Sequence, residues 1–419
     1  MKRFGIRSRL CCLLLTLTLL LPLGSCAMGV AAEDLMEGIN PNTVKPLEDL
    51  SAGNVRVTDF SVRLLQASLA KDGNTLLAPL SVFCALGMTV NGARDDTLAQ
   101  MEAVLGMDAA SVNAYLHSYL GSLPQGEKYR MHVANSIWFT NKESFSVNPA
   151  FLQINADYHG ADLYRAAFDK QTLKDINRWV KEETDGMIPE ALDEIPPEAV
   201  MYLINAIAFE AEWTKIYEKD QVRNGTFTKE DGSRQTVSFM YCDEGSYLAD
   251  EKATGFIKYY SGRKYAFVAL LPNEGVSVSD YVESLNGEAL CALLQNPQSV
   301  AVKTAIPKFE TEYSAEMSEI LAAMGMPNAF DEGMADFGGI GSSVEGNLYI
   351  NRVIHKTRIQ VGEKGTKAGA VTVIEMNAES AGPMEEPKVV YLDRPFVYML
   401  IDCENKIPFF IGTMMDPEK

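Results

Sequence analysis

Only four histidines, His117, His132, His159 and His355, are available in 419 residues to act as a general base. No G-x-S-x-G nucleophile turn occurs. Ser261-Gly262-Arg263-Lys264 matches S-x-x-K on paper, but it falls in a glycine-containing turn between two apolar runs, without a K-T-G partner. The acidic pairs Asp95-Asp96, Glu182-Glu183 and Glu385-Glu386 read as solvated surface, and no Cys or His spacing suits a metal. The segment that carries unusual chemistry is a strand-like one. From Leu348 to Val361 the residues Tyr349, Asn351, Val353, His355, Thr357, Ile359 and Val361 share one face. The run continues past Glu363-Lys364-Gly365, with Thr366, Ala368, Ala370, Thr372, Ile374 and Met376 on one face and Lys367, Gly369, Val371, Val373, Glu375 and Asn377 on the other. It breaks off at Ala381-Gly382-Pro383. Such a segment reads as an amphipathic strand with small residues first on its inner face, and by spacing alone it is simply a longer strand or a hairpin.

The elements that must position this segment are legible in outline. Val57, Phe60, Leu64 and Ala67 are spaced as one helix face. Pro79 opens a second helix that is apolar on every side, and Thr97 can cap a third that ends at Gly106. A helical pattern recurs at Ile176–Val180. Strands are expected at 202–209, 265–271, 300–306, 348–361, 396–401 and 409–413. Helices early and strands late, without βαβ alternation, imply an α+β fold in one domain.

Composition narrows the function. The net charge is −19, from 56 acids and 37 bases, and no basic cluster follows the first ten residues, so nucleic acid is not an expected partner. Residues 1–10 carry Lys2, Arg3, Arg7 and Arg9, then an apolar run reaches Leu23. This is the pattern of an export signal, and Leu23-Gly24-Ser25-Cys26 resembles a bacterial lipoprotein signal that would lipidate Cys26. A plain secretory signal cut near Ala27 or Ala32 is the alternative. The expected organisation is a signal peptide over 1–25, a flexible tether over 26–54 anchored to the outer face of the membrane, and a folded domain over 55–419. Cys84, Cys242, Cys291 and Cys403 are scattered, and no structural disulfide, metal or cofactor is expected.

Glu363-Lys364-Gly365-Thr366-Lys367-Ala368-Gly369-Ala370 resembles the reactive-loop hinge of the serpins. Blocks similar to that family recur in order: 74–81, 91–93 with Thr97, 134–139, 176–180, 203–209 with Trp213, 336–340 and 393–396. The resemblance spans about Val55 to Pro417. It implies a single α+β domain of three sheets and about nine helices with a reactive loop, here about 363–392, exposed at one pole. It also implies suicide inhibition of serine or cysteine proteases: the acylated loop inserts into the main sheet and carries the protease with it. The hinge residues would be Glu363, Gly365, Thr366, Ala368, Ala370 and Thr372. Counting from the hinge places the reactive bond at Glu379-Ser380, whereas counting back from Asp393 points to Met384. Glu379 favours glutamate-directed proteases, with elastase-like enzymes cutting there or at Ala378 as the second choice. A strand-opening cluster of Ser81, Asn205, His355 and Trp213 carries over, while Ala78 replaces the family's serine. A non-inhibitory relative cleaved as a substrate, or a surface hydrolase using Ser261 and Lys264, are the alternatives. Residues 109–122 lack Lys and Arg, so no glycosaminoglycan partner is expected; the protein should be a monomer whose partner is its target protease.

Overall fold

The computed structural model describes residues 31–70, 73–141, 145–196, 199–343, 347–366 and 386–418, the side chains of Asn205, Ala206 and Ser343 excepted. Nine α-helices lie among the described residues. α1 (Ser51–Ser68) buries Val57, Phe60, Leu64 and Leu65 on one stripe. α2 (Pro79–Val90) begins on Pro79, whose missing N–H costs nothing in the first turn, and all twelve of its residues are buried. α3 (Asp95–Leu105) stops at Gly106, which adopts φ 72°. Thr97 does not cap it. Arg94 holds that position, and the Thr97 hydroxyl lies inside the first turn, accepting from the Asp336 N–H at 3.0 Å. The others are α4 (Ala109–Ser122), α5 (Pro149–Tyr158), α6 (Lys170–Glu183), α7 (Val278–Ser284), α8 (Gly287–Gln295) and α9 (Ser318–Met324).

Three sheets carry most of the strands. The first comprises β1 (Glu33–Asp34), β3 (Tyr129–Thr140), β5 (Asp162–Ala166), β6 (Met201–Glu212), β13 (Phe309–Glu316), β15 (Arg352–Gly362) and β16 (Gly365–Thr366), in the order β1-β5-β3-β6-β16-β15-β13. The second orders β2 (Thr75–Leu77), β19 (Pro408–Met414), β18 (Phe396–Asp402), β11 (Tyr265–Pro272), β10 (Ala253–Tyr259) and β9 (Tyr247–Ala249). β11, β18 and β19 are buried throughout, which explains their unbroken apolar sequence. The third orders β17 (Lys388–Tyr391), β12 (Val302–Pro307), β8 (Arg234–Glu244) and β7 (Val222–Thr228), and β4 (Phe145–Val147) pairs with β14 (Gly341–Ser343).

Two expectations about extent are corrected. β15 starts at Arg352 rather than Leu348, because Ile350 is held by a hydrogen bond from its N–H to the Ala329 carbonyl instead of a ladder. The described part of the 26–54 stretch is no tether. Glu33–Asp34 pairs with Tyr164–Arg165, Arg165 binds both Glu33 carboxylate oxygens at 2.9 Å, and the Leu47 N–H donates to Ser118 Oγ at 2.8 Å. Leu35, Met36 and Leu50 pack on the core, and α1 begins at Ser51. A two-residue strand followed by irregular backbone has no periodicity to detect, so its docking leaves no pattern in the sequence.

Candidate functional site

β6 and β15 lie side by side in the first sheet, but they are joined only at their ends. At one end they pair directly and in parallel, Tyr202–Ile204 with Arg352–Ile354. At the other, β16 sits between them, Gly365–Thr366 pairing with Ala211–Glu212 on one side and Val361–Gly362 on the other. Between these ends no ladder among the described residues joins 205–210 to 355–360. Each strand is instead paired outward, β6 with β3 and β15 with β13. The geometry is a seam with its first rung already filled.

The filled rung is built residue by residue. Gly365 has φ 153°, and a Cβ there would lie 2.0 Å from the Ala211 carbonyl oxygen, so only glycine can enter between the two backbones. Thr366 is 2% exposed, and its hydroxyl meets the Tyr260 phenol at 2.5 Å. Burial pushes the Tyr260 pKa upward, which keeps that phenol neutral and able to donate. Tyr260 stacks on Trp213 with ring centres 4.3 Å apart. Trp213 donates its indole N–H to the Gly362 carbonyl and its backbone N–H to the Lys364 carbonyl, each at 2.8 Å, and the Tyr217 N–H donates to the Glu363 carbonyl at 3.0 Å. Lys308 closes the turn through its 2.7 Å ion pair with Glu363, a hydrogen bond that holds the Glu363 carboxyl below its usual range.

Beneath the seam, His355 is buried and its Nε2 accepts the Ala78 N–H at 3.1 Å. An acceptor nitrogen must be unprotonated, and burial pushes the imidazole pKa down to about 4. Thr357 donates its hydroxyl to the Leu76 carbonyl at 2.9 Å. The contact to Ala78 is therefore made by its backbone, which the absent serine hydroxyl does not affect. Ser81 is buried in the first turn of α2, its N–H on the Ala78 carbonyl. The Asn205 side chain lies outside the described residues.

Trp213, Gly365, Thr366 and Glu363 are thus brought together at the head of the seam, with Ser81, Ala78 and His355 further along beneath it. The segment expected as an exposed loop over 363–392 is shorter at both ends. Glu363–Thr366 is bound in place, and Lys388–Tyr391 forms β17 beside β12, with Leu392 fully buried. Ala368, Ala370, Thr372, Ala378, Glu379, Ser380 and Met384 lie outside the described residues, as does Cys26. Ser261 starts a 3-10 turn through Gly262 at φ 75°, and Lys264 is exposed rather than enclosed with Ser261 in a pocket. The four described cysteines are free thiols. Tyr260, Tyr217 and Lys308 carry no motif or spacing in the sequence that marks them for this site.

Comparison with known proteins adds to this geometry. Residues 55–417 match the profile of the family described as serpin (serine protease inhibitor). The chain is 45% identical to the thermophilic serpin tengpin in its native state, with a TM-score of 0.87, covering 92% of this chain and 99% of that one. Against tengpin in its latent state the identity is 42% and the TM-score 0.78, covering 89% and 100%. Human leukocyte elastase inhibitor is 27% identical, covering 88% of this chain and all of the relative. The same protein from Xenopus tropicalis is 30% identical, covering 82% and 93%.

Proposed function

The chain belongs to the serpin family, and on that premise we propose that it is a suicide inhibitor of glutamate-directed or elastase-like serine proteases, displayed on the outer face of a membrane through a lipid on Cys26. Membership and the elastase-inhibitor relatives support serine protease inhibition in general and a role other than catalysis. The observation that carries the reading is the seam. Its first rung, Gly365–Thr366, is the start of the same segment that must fill the rest after cleavage. Continuing the antiparallel register from Thr366–Ala211 and Thr366–Val361 sets Ala368 between Phe209 and Ile359, Ala370 between Ile207 and Thr357, and Thr372 beside His355. Small side chains meet larger ones on the inner face, and the polar Thr372 meets the buried His355 imidazole. On the outer face the same register sets Lys367 opposite Glu210, and Glu375 opposite Arg352. Insertion of such a strand completes every unpaired edge in the seam and buries Ile374 and Met376, worth about 1.5–3 kcal/mol each.

A protease that attacks Glu379-Ser380 forms an acyl bond to Glu379. If insertion outruns hydrolysis of that ester, the enzyme is dragged along the sheet and distorted. Incubation with a glutamate-directed protease and with an elastase-like one, followed by SDS electrophoresis, tests the proposal. A covalent band that survives denaturation is expected from at least one enzyme, with a released C-terminal fragment beginning at Ser380. Thr366→Arg, which forces a cation under the sheet, should abolish the band and leave only cleaved chain. Cleavage without complex in the parent protein overturns the inhibitory reading, and small-ester turnover lost in Ser261→Ala would replace it with a hydrolase.

A further inference from the structure

Lys258, on β10, has a side chain only 1% exposed, and Glu244, at the end of β8, only 9%. The ammonium donates to Glu244 Oε1 at 2.8 Å and to the Lys215 carbonyl at 3.2 Å. It also lies over two aromatic faces, 4.4 Å from the centre of Tyr217 and 5.3 Å from that of Trp213. Burial opposes the charge, but Tyr217 and Glu244 push the Lys258 pKa upward, so the group stays an ammonium. A buried charge pair is costly to assemble, and an apolar pair of equal volume is often as stable. Fold stability alone therefore gives little reason for a lysine here.

What the charge reaches gives one. Lys215, Trp213 and Tyr217 belong to a single stretch just after β6. That stretch supplies the three N–H groups, two from Trp213 and one from Tyr217, that hold the Gly362–Lys364 carbonyls. Lys258 meets the same stretch at three points: a carbonyl and two rings. A methionine could fill the space, but its thioether cannot donate to the carbonyl, and it would replace the cation's attraction to the two ring faces with weaker sulfur–ring contacts. We propose that Lys258, neutralised by Glu244, is a positioning residue that fixes residues 213–217 as the seat of the hinge and so sets how firmly Gly365–Thr366 is held between β6 and β15. The seating stands on the contacts alone; only its consequence for inhibition rests on the function proposed above.

The test uses the full chain without protease. Lys258→Met combined with Glu244→Leu removes both charges and leaves neither ion buried alone. Amide hydrogen exchange at Trp213 and Tyr217 is expected to quicken at least tenfold, while amides in α2 and β18 stay within twofold of the parent. Unchanged exchange at 213 and 217 overturns the proposal, and so does a uniform rise across the molecule, which would mean a merely structural pair. Covalent complex formation is then measured on the same variant, with a shift toward cleaved product expected. Absence of any complex from the parent protein would instead overturn the inhibitory function and leave the exchange result standing.

Discussion

At the residue scale, two side-chain facts have measurable consequences. His355 is neutral in the folded protein because Nε2 must accept the Ala78 N–H and because burial holds its pKa near 4. In the unfolded chain the imidazole takes up a proton near its ordinary value, about 6.5. Between those values the unfolded state binds more protons, so stability is fully present above about pH 6.5 and is lost as pH falls toward about 4, by about 3 kcal/mol. Thermal melts of the parent and of His355→Gln from pH 7.5 to 4.5 should show a distinctly flatter slope for the variant. Equal slopes would contradict the assignment. Gly365 yields the second consequence. Gly365→Ala brings a methyl group 2.0 Å from the Ala211 carbonyl, so the hinge cannot keep its place. Limited proteolysis should then cut within residues 363–367 at least tenfold faster than in the parent, with the remainder of the chain equally resistant.

At the element scale, the outer face of the main sheet is laced within each side of the seam. Arg352–Glu316 at 2.8 Å, Lys356–Glu312 at 3.6 Å and Arg358–Glu310 tie β15 to β13. Arg130–Glu210 at 3.6 Å ties β3 to β6, and Lys128, just before β3, reaches Glu212 at 3.7 Å. Each exposed pair contributes little, but every one of these pairs stays on its own side of the seam, so if a strand enters there the sheet is expected to open along that line. Lys367→Glu would set like charges opposite Glu210 in the inserted state. It should reduce the fraction of protease trapped by up to about fivefold, and adding Glu210→Lys should restore it. The period-two pattern of 353–361 and the small residues of the hinge could be read from the chain because they answer to one face of one sheet. The seat could not. Tyr260, Tyr217, Lys308 and Lys258 come from strands and turns far apart in sequence, and their meeting depends on how the sheets cross. Thr97 shows the reverse failure: a good capping residue locally, it serves instead as an acceptor for Asp336.

At the scale of the whole molecule, the fold is fixed by its buried strands and α2, whose apolar runs announce themselves. The docking of residues 31–50 rests on a two-residue ladder, the Glu33–Arg165 ion pair, a few apolar side chains and scattered hydrogen bonds, none with a period. A nick at Glu379-Ser380 should let residues 367–376 enter the seam and raise the melting temperature by roughly ten degrees, since several kcal/mol of burial and pairing are gained. A melting curve that does not move after quantitative cleavage would mean that the seam cannot accept its own chain.

The short parallel join between Tyr202–Ile204 and Arg352–Ile354 has a consequence for timing. An entering strand meets unpaired edges as far as Thr372 and can advance by adding contacts alone; from Val373 onward it must unfasten existing bonds before making new ones. On the proposed mechanism the clasp would act as a late brake, and a captured enzyme hanging partway down the sheet would mark the place where it bites.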